Sequence, residues 1–337
     1  MKAKTDFEEL ISFVQYSKGQ CYVLCDENTF KHCYEVFCQL IALKVQPVVI
    51  KAGEAQKNIA TCEFIWQKLI DNNADKNACI INLGGGVVSD IGGFVAATYK
   101  RGIKYINVPT SLLAMVDAAT GGKTGINLGH FKNMIGLIQQ PEMVVLHAPF
   151  LNTLPKKHLK NGFAEMLKHA ILNGKDALNE LTLNKDFTAQ LNEKVILKSL
   201  AIKENIVAKD PQEKGHRKIL NFGHTIGHAI EYAAQENGYE VLHGEAVAIG
   251  MIAALKLSVL KLDFDSNEAD LVINFIRSHF STPAWISANH NKIINAILQD
   301  KKNSNQEINM VLLVDYGKPV FDVVCTLDEI AKILLEL

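Results

Sequence analysis

Between residue 20 and about residue 150, short β-branched and apolar runs (CYVLCD, QPVVIKAG, ACIINLGGG, KYINVPT and EMVVLH) alternate with amphipathic stretches. No other feature constrains the fold as much, because strands separated by helical crossovers pair in parallel, with helices covering the sheet. From Leu154 onward the period lengthens to that of helices, in KKHLKNGFAEMLKHAIL and LNEKVILKSLAIKENIVAK. The late run INMVLLVDYGKPVFDVV reads as a small hairpin turning across Tyr316 to Pro319. A chain of 337 residues exceeds what one core usually serves. The expected architecture is therefore an α/β domain with a mostly parallel sheet over residues 1–152, then a mainly α-helical domain over residues 153–337. A cleft between two such domains is a common place for a ligand.

A net charge of −1 with mixed signs offers no basic stripe for nucleic acid or an anionic membrane. MKAKTDFEEL lacks the apolar core of a signal peptide, and no stretch approaches the ~20 apolar residues of a spanning helix. These features predict a soluble, cytoplasmic protein whose partner is a small molecule. The seven cysteines lack CxxC pairs, and Cys21, Cys25, Cys62 and Cys79 lie in or beside apolar runs, so no disulfide framework is expected.

Three segments carry chemistry. In ACIINLGGGVVSDIGGFVAA an apolar strand runs into Gly84, Gly85 and Gly86 and then a helix, which lets backbone amides and a helix N-terminus approach a phosphate. TGGKTG resembles a phosphate-binding loop, but Asp117 stands where its first glycine is needed. The same region is instead a dense polar run, Asp117, Thr120, Lys123, Asn127, Lys132 and Asn133, suited to a polyhydroxylated or phosphorylated ligand. The third segment is NFGHTIGHAIEYAAQENGYEVLHGE. His224 and His228 lie four apart and share one helix face, and His243 opens a further apolar helix after a turn at Asn237 and Gly238. Packing alone could explain an isolated HxxxH, but a third histidine favours a metal. Thr225 occupies the position of a metalloprotease's general base, which disfavours peptide hydrolysis.

Together the segments LGGGVVSDIGGFVAATYKRGI, VPTSLLAMVD, GGKTGIN, KNMIG, GFAEMLKHA, DPQEKGHR, LNFGHTIGHAIE and HGEAVAIGM resemble the 3-dehydroquinate synthase family, in its order and spacing along nearly the whole chain. The resemblance implies a nucleotide-binding α/β domain, a helical metal-binding domain, NAD, and one divalent metal, zinc or cobalt. It implies conversion of 3-deoxy-D-arabino-heptulosonate 7-phosphate into 3-dehydroquinate and phosphate by transient oxidation, phosphate elimination, re-reduction and intramolecular aldol closure. A homodimer is implied as well.

Carried over by motif, the metal ligands fall on Glu165, His224 and His243. A catalytic zinc keeps three protein ligands and an open position, which leaves His228 for acid/base or phosphate work. Glu213 becomes the candidate proton acceptor, and Lys168 and Asp117 join the catalytic set. Substrate contacts fall on Arg101, Asp117, Lys123, Asn133, Lys168, Lys203, Arg217, Asn221 and a C-terminal lysine, Lys301 or its neighbour Lys302. NAD contacts fall on Asp26, Glu54, Lys57, Gly85, Gly86, Asp90, Thr110, Ser111, Lys132 and Thr153. The family more often has VDSSVGGK where Ala118 and Thr120 stand here, glycine in place of Phe131, and aspartate in place of His147. Alternatives are a related cyclase acting on sedoheptulose 7-phosphate or glucose 6-phosphate, a metal-dependent polyol dehydrogenase, and a catalytically silent homologue. Lys123, Lys203, Arg217 and Asn221 match a carboxylated substrate.

Overall fold

The computed structural model describes residues 3–16, 20–129, 131–184, 186–299 and 307–337. It contains two compact units, one formed by Met1–Leu159 with Asn192–Glu204 and the other by Lys160–Leu191 with Asn205–Leu337.

The strands of the first unit are β1 (Cys21–Asp26), β2 (Gln46–Ile50), β3 (Cys79–Gly84), β4 (Lys104–Pro109), β5 (Lys123–Leu128), β6 (Phe131–Ile138) and β7 (Met143–Val144). Five form a parallel sheet in the order β2-β1-β3-β4-β7. Central β3 is buried along its whole length, which is why CIINLG is apolar on both faces apart from Asn82. Helices α1 (Ile59–Asp71) and α2 (Gly86–Thr98) complete the core, in which Ile65, Leu69, Val88, Ile91 and Val95 pack with Leu24 and Ile80. Asn58 caps α1 by accepting from the Thr61 amide at 2.9 Å.

One polar rung crosses the sheet. Asn82 lies opposite Asn107, its amide donates to the Asn107 oxygen at 2.9 Å, and the Asn107 amide donates to the Ala119 carbonyl at 2.9 Å. That chain of bonds fixes the turn carrying Asp117 and Thr120 against the buried sheet.

EMVVLH supplies only the two-residue β7, although its apolar run is longer. Beyond Val144 the hydrogen bonds pass to the N-terminal segment: Lys4 bridges Val145, and the Leu146 amide donates to the Lys4 carbonyl at 2.7 Å. The polar run after Asp117 is not a loop throughout. Its second half forms the antiparallel hairpin β5–β6, with Gly125 opposite Gly136.

The second unit is mainly helical. Its elements include α3 (Lys156–Asn173, within this unit from Lys160), the end of α4 (Glu193–Lys209), α5 (His224–Glu236), α6 (His243–Leu262) and α7 (Ser266–His279), followed by the hairpin β8 (Glu307–Asp315) with β9 (Lys318–Thr326) and by α8 (Leu327–Leu335). Helix α6 is apolar on nearly every face and buried from Ala246 through Leu255, as a central helix must be. Its Ser258 hydroxyl donates to the Ala254 carbonyl at 2.7 Å and accepts the Leu313 amide of β8 at 2.9 Å. Among the described residues no helix is long and apolar enough to cross a membrane, and none of the seven cysteines is in a disulfide.

Candidate active site and metal centre

In the second unit the chemistry begins where α5 and α6 touch. A Cβ on Gly227 would sit 3.1 Å from the Ala246 carbonyl oxygen, and one on Gly250 would sit 2.9 Å from the Gly227 nitrogen. Glycine at both positions lets the backbones meet, which brings His224 and His243, the first residues of the two helices, side by side. Their rings lie 5.4 Å apart between centroids.

Both imidazoles turn the same atom inward. His224 Nδ1 pairs with the Phe222 carbonyl at 3.2 Å and His243 Nδ1 with Glu231 Oε2 at 3.0 Å. Each Nε2 therefore points at one oxygen of Glu165, at 3.4 Å from His224 and 3.5 Å from His243. Glu165 sits mid-helix in α3 and is fully buried, with Lys168 one turn on paired to its other oxygen. Neither Glu165 oxygen has a well-formed hydrogen bond among the described residues.

The charges follow from this packing. Burial works against ionisation of Glu165, yet Lys168 and the two histidines hold its carboxyl well below the usual range. Burial, with Lys168 nearby, keeps His224 neutral by pushing its pKa well down. Burial also opposes charge on His243, but the neighbouring Glu165 and Glu231 carboxylates override that and raise it to about 10.

These residues fit a divalent cation. A tetrahedral ion with ligand bonds of ~2.0–2.2 Å has edges of roughly 3.3–3.6 Å between ligand atoms, which is the spacing from each imidazole Nε2 to Glu165 Oε1, and all three ligand atoms lie within 4.8 Å of one another. Two neutral-capable imidazole nitrogens and a carboxylate oxygen without a hydrogen bond are the donors zinc takes. His228 is exposed, one turn along from His224, with ring centroids 5.2 Å apart.

The loop before α5 is organised by Asp210, which accepts the backbone amides of Lys214, Gly215 and Arg217 and whose carboxyl is lowered chiefly by the Gly215 amide. It presents Glu213 in a left-handed backbone conformation (φ 58°), with Asn221 donating to Glu213 Oε1 at 3.1 Å. Arg217 is buried, donates to the Pro211 carbonyl at 2.8 Å and lies 3.9 Å from Glu213 Oε2.

The first unit holds two further clusters. Buried Lys203 pairs with Asp117 Oδ1 at 2.7 Å and donates to the Asp117 carbonyl at 2.5 Å. Buried Lys57 donates to Asp90 Oδ2 at 2.5 Å and to the Asn133 side chain. Asn133 is left-handed (φ 53°), and its amide donates to Asn127 Oδ1 at 2.9 Å. The Asn127 side chain in turn donates to Glu54 Oε1 at 2.9 Å. Glu54, Lys57, Asp90 and Asn133 thus form one network, closed by Asn127. Burial raises Asp90 to about 6 despite the opposing Lys57 ammonium.

Gly85 is the N-cap of α2, and no side chain caps the first amides of that helix. The Thr110 amide donates to the Gly84 carbonyl at 3.0 Å, and a Cβ on Gly85 would lie 3.2 Å from the Ser111 hydroxyl. Asp26 ends β1 and caps the next turn, accepting the Thr29 amide at 2.8 Å. Arg101, Lys123, Lys132 and Thr153 are exposed. Lys301 and Lys302 lie outside the described residues. His147 packs edge-on against Phe7 and Phe150 at 5.7 and 4.9 Å, and burial lowers its pKa. The sequence alone assigns no particular role to Glu231 or Asp210 and gives Asn127 only a place in the polar run; the only signal for Glu231 is its place two helical turns after His224.

Residues 47–161 match the 3-dehydroquinate synthase N-terminal family and residues 162–303 the 3-dehydroquinate synthase C-terminal family. The chain belongs to the 3-dehydroquinate synthase family. It is 36% identical to the 3-dehydroquinate synthase of Parabacteroides distasonis over 93% of this chain and 89% of that one. It is 42% identical to that of Listeria monocytogenes over 89% of this chain and 83% of that one. Among solved structures it is similar to a 2-deoxy-scyllo-inosose synthase complexed with carbaglucose-6-phosphate, NAD+ and Co2+ (TM-score 0.83, 26% identity, 99% of this chain and 96% of that one). It is similar too to the 2-epi-5-epi-valiolone synthase of Streptomyces hygroscopicus with NAD+ and Zn2+ bound (TM-score 0.84, 25% identity, 100% and 96%). A probable glycerol dehydrogenase from Sinorhizobium meliloti shares the fold alone (TM-score 0.64, 16% identity, 100% and 95%).

Proposed function

We infer that this chain is a 3-dehydroquinate synthase, an NAD- and metal-dependent lyase releasing phosphate from 3-deoxy-D-arabino-heptulosonate 7-phosphate to form 3-dehydroquinate. The observation that carries this reading is the Glu165–His224–His243 triangle within a chain 36–42% identical to 3-dehydroquinate synthases. When bound, NAD supplies a reversible hydride acceptor and the cation a Lewis acid for adjacent hydroxyls.

The chain's own residues take the remaining tasks. Asp117 receives substrate hydroxyls, held in place by Lys203. Lys123, Lys203, Arg217 and Asn221 answer the carboxylate, and Arg101, Asn133, Lys168 and Lys301 the phosphate, since two anionic groups need several cations or amides. Glu213, steadied by Asn221, accepts a proton, and exposed His228 relays one beside the phosphate. Asp26, Glu54, Lys57, Gly85, Gly86, Asp90, Thr110, Ser111, Lys132 and Thr153 hold the dinucleotide. The enzyme works as a cytoplasmic homodimer.

Phosphate release from the heptulosonate phosphate, with and without NAD and a chelator, tests the reading. Release that requires both NAD and metal is expected. Turnover of sedoheptulose 7-phosphate or glucose 6-phosphate instead, or net NADH formation from a polyol, would replace it with a sister activity.

A further inference from the structure

We propose that Glu231 is a positioning residue for the cation: its carboxylate locks the His243 ring and offsets positive charge behind it. The inference rests on the reading of Glu165, His224 and His243 as ligands.

The two imidazoles are supported differently. His224 Nδ1 meets a neutral backbone carbonyl, whereas His243 Nδ1 meets a carboxylate at 3.0 Å. Glu231 is buried on α5, seven residues after His224 and so two turns along the same helix face. The close packing of α5 on α6 at Gly227 and Gly250 brings it behind His243. The His243 backbone is already held, because Glu245 accepts the Leu242 amide at 3.0 Å and Asn161 accepts the Gly244 amide. The side chain's own torsions remain, and Glu231 removes them by setting the ring plane and leaving Nε2 as the free donor. A hydrogen-bonded carboxylate also makes the imidazole a better ligand.

Charge balance gives a second reason. Lys168 already neutralises Glu165, so a dication with two neutral imidazoles would leave about two positive charges in a largely buried site. The starts of α5 and α6 add their own partial positive ends. Glu231 halves that excess without occupying a coordination position.

The test uses the full-length protein and zinc or cobalt. Glu231→Gln keeps the shape and removes the charge, and it is expected to weaken metal affinity by roughly 10–100-fold, read by competition with a chelator. Glu231→Asp, which keeps the charge but withdraws it by one methylene, falls between. The visible spectrum of the cobalt form changes in the Gln variant, which a general loss of stability would not produce. Circular dichroism and urea unfolding of the metal-free chains confirm that the variants fold; if Glu231→Gln does not, the comparison rests on Glu231→Asp. Parental metal affinity and an unchanged cobalt spectrum in the folded variant overturn the proposal. Two metal ions per parental chain, with one lost in Glu231→Gln, also overturn it, because His228, Glu231 and His243 would then be a cation site themselves. His243→Ala is the separate control: if it retains metal, the ligand assignment fails, whereas its loss of metal beside an indifferent Glu231→Gln fails this inference alone.

Discussion

Replacing Lys168 by methionine isolates the electrostatics of the buried site. The lysine is 2% exposed and its partner Glu165 is 0% exposed, so water cannot take over as counter-charge when the ammonium is removed. If Glu165 stays ionised, the loss is that of one partner of a buried pair, about 3–5 kcal/mol. If it takes up a proton instead, bringing a carboxyl of pKa about 4.3 to neutrality at pH 7 costs about 4 kcal/mol. Both routes give the same size of effect. At roughly 2–4 °C per kcal/mol, the metal-free variant should melt on the order of 10 °C below the parent.

Zinc reverses most of that deficit, since the cation replaces the ammonium as counter-charge, and the variant binds zinc more tightly than the parent. The pH dependence has a definite sign. The folded pKa of Glu165 is depressed, so its stabilisation is present above the unfolded value near 4.3 and lost as pH falls through the folded value. The variant lacks that contribution, and the gap between the two proteins narrows as pH drops below about 4. Thermal unfolding in chelator and in zinc, across pH, makes the measurement. A variant melting within about 2 °C of the parent in chelator, or one that zinc does not rescue, refutes the account.

Four further outcomes are expected. His224→Ala abolishes metal retention while His228→Ala keeps metal and slows turnover by roughly 10²-fold, so metal analysis beside phosphate release separates the two histidines. Because His243 is held protonated up to about pH 10 without metal, zinc binding at pH 8 expels about one proton, and calorimetry in buffers of different ionisation enthalpy that finds none would contradict this. NADH affinity, followed by fluorescence, rises with pH through about 6 as Asp90 ionises, and Asp90→Asn flattens the profile. Asn127→Ala removes the bonds joining Glu54 to Asn133 and raises the KM for substrate several-fold, at about 1 kcal/mol per bond, with metal content unchanged.

Much of this architecture is legible in the chain because its signals are local. The runs CYVLCD, QPVVI, CIINLG and KYINVP become strands nearly residue for residue, since an apolar β-branched run between turns has few other stable uses. His224 and His243 announce themselves by helix spacing and position. Glu165 does not: GFAEMLK resembles any amphipathic turn, and only the family resemblance marks it. The hairpin β5–β6 escapes notice because Thr124, Gly125 and Ile126 are buried as one continuous run while Met134, Ile135, Leu137 and Ile138 are exposed, so no period-two burial marks it, and β7 is shorter than its apolar run because a partner from the N-terminus takes over. Glu231, and the link that Asn127 makes between Glu54 and Asn133, escape for a deeper reason. Each acts across a packing contact, and one-dimensional spacing says nothing about which helix or strand will lie beside it.

The three oxygen and nitrogen donors are anchored unequally. Glu165 lies in the middle of a long buried helix, whereas His224 and His243 are each the opening residue of theirs. Helix ends fray far more readily than helix centres. Ion exchange is therefore expected to proceed by loosening a single opening turn while the carboxylate keeps hold, so the rate of zinc escape should track end-fraying of these two segments, and the enzyme could trade one cation for another without unfolding.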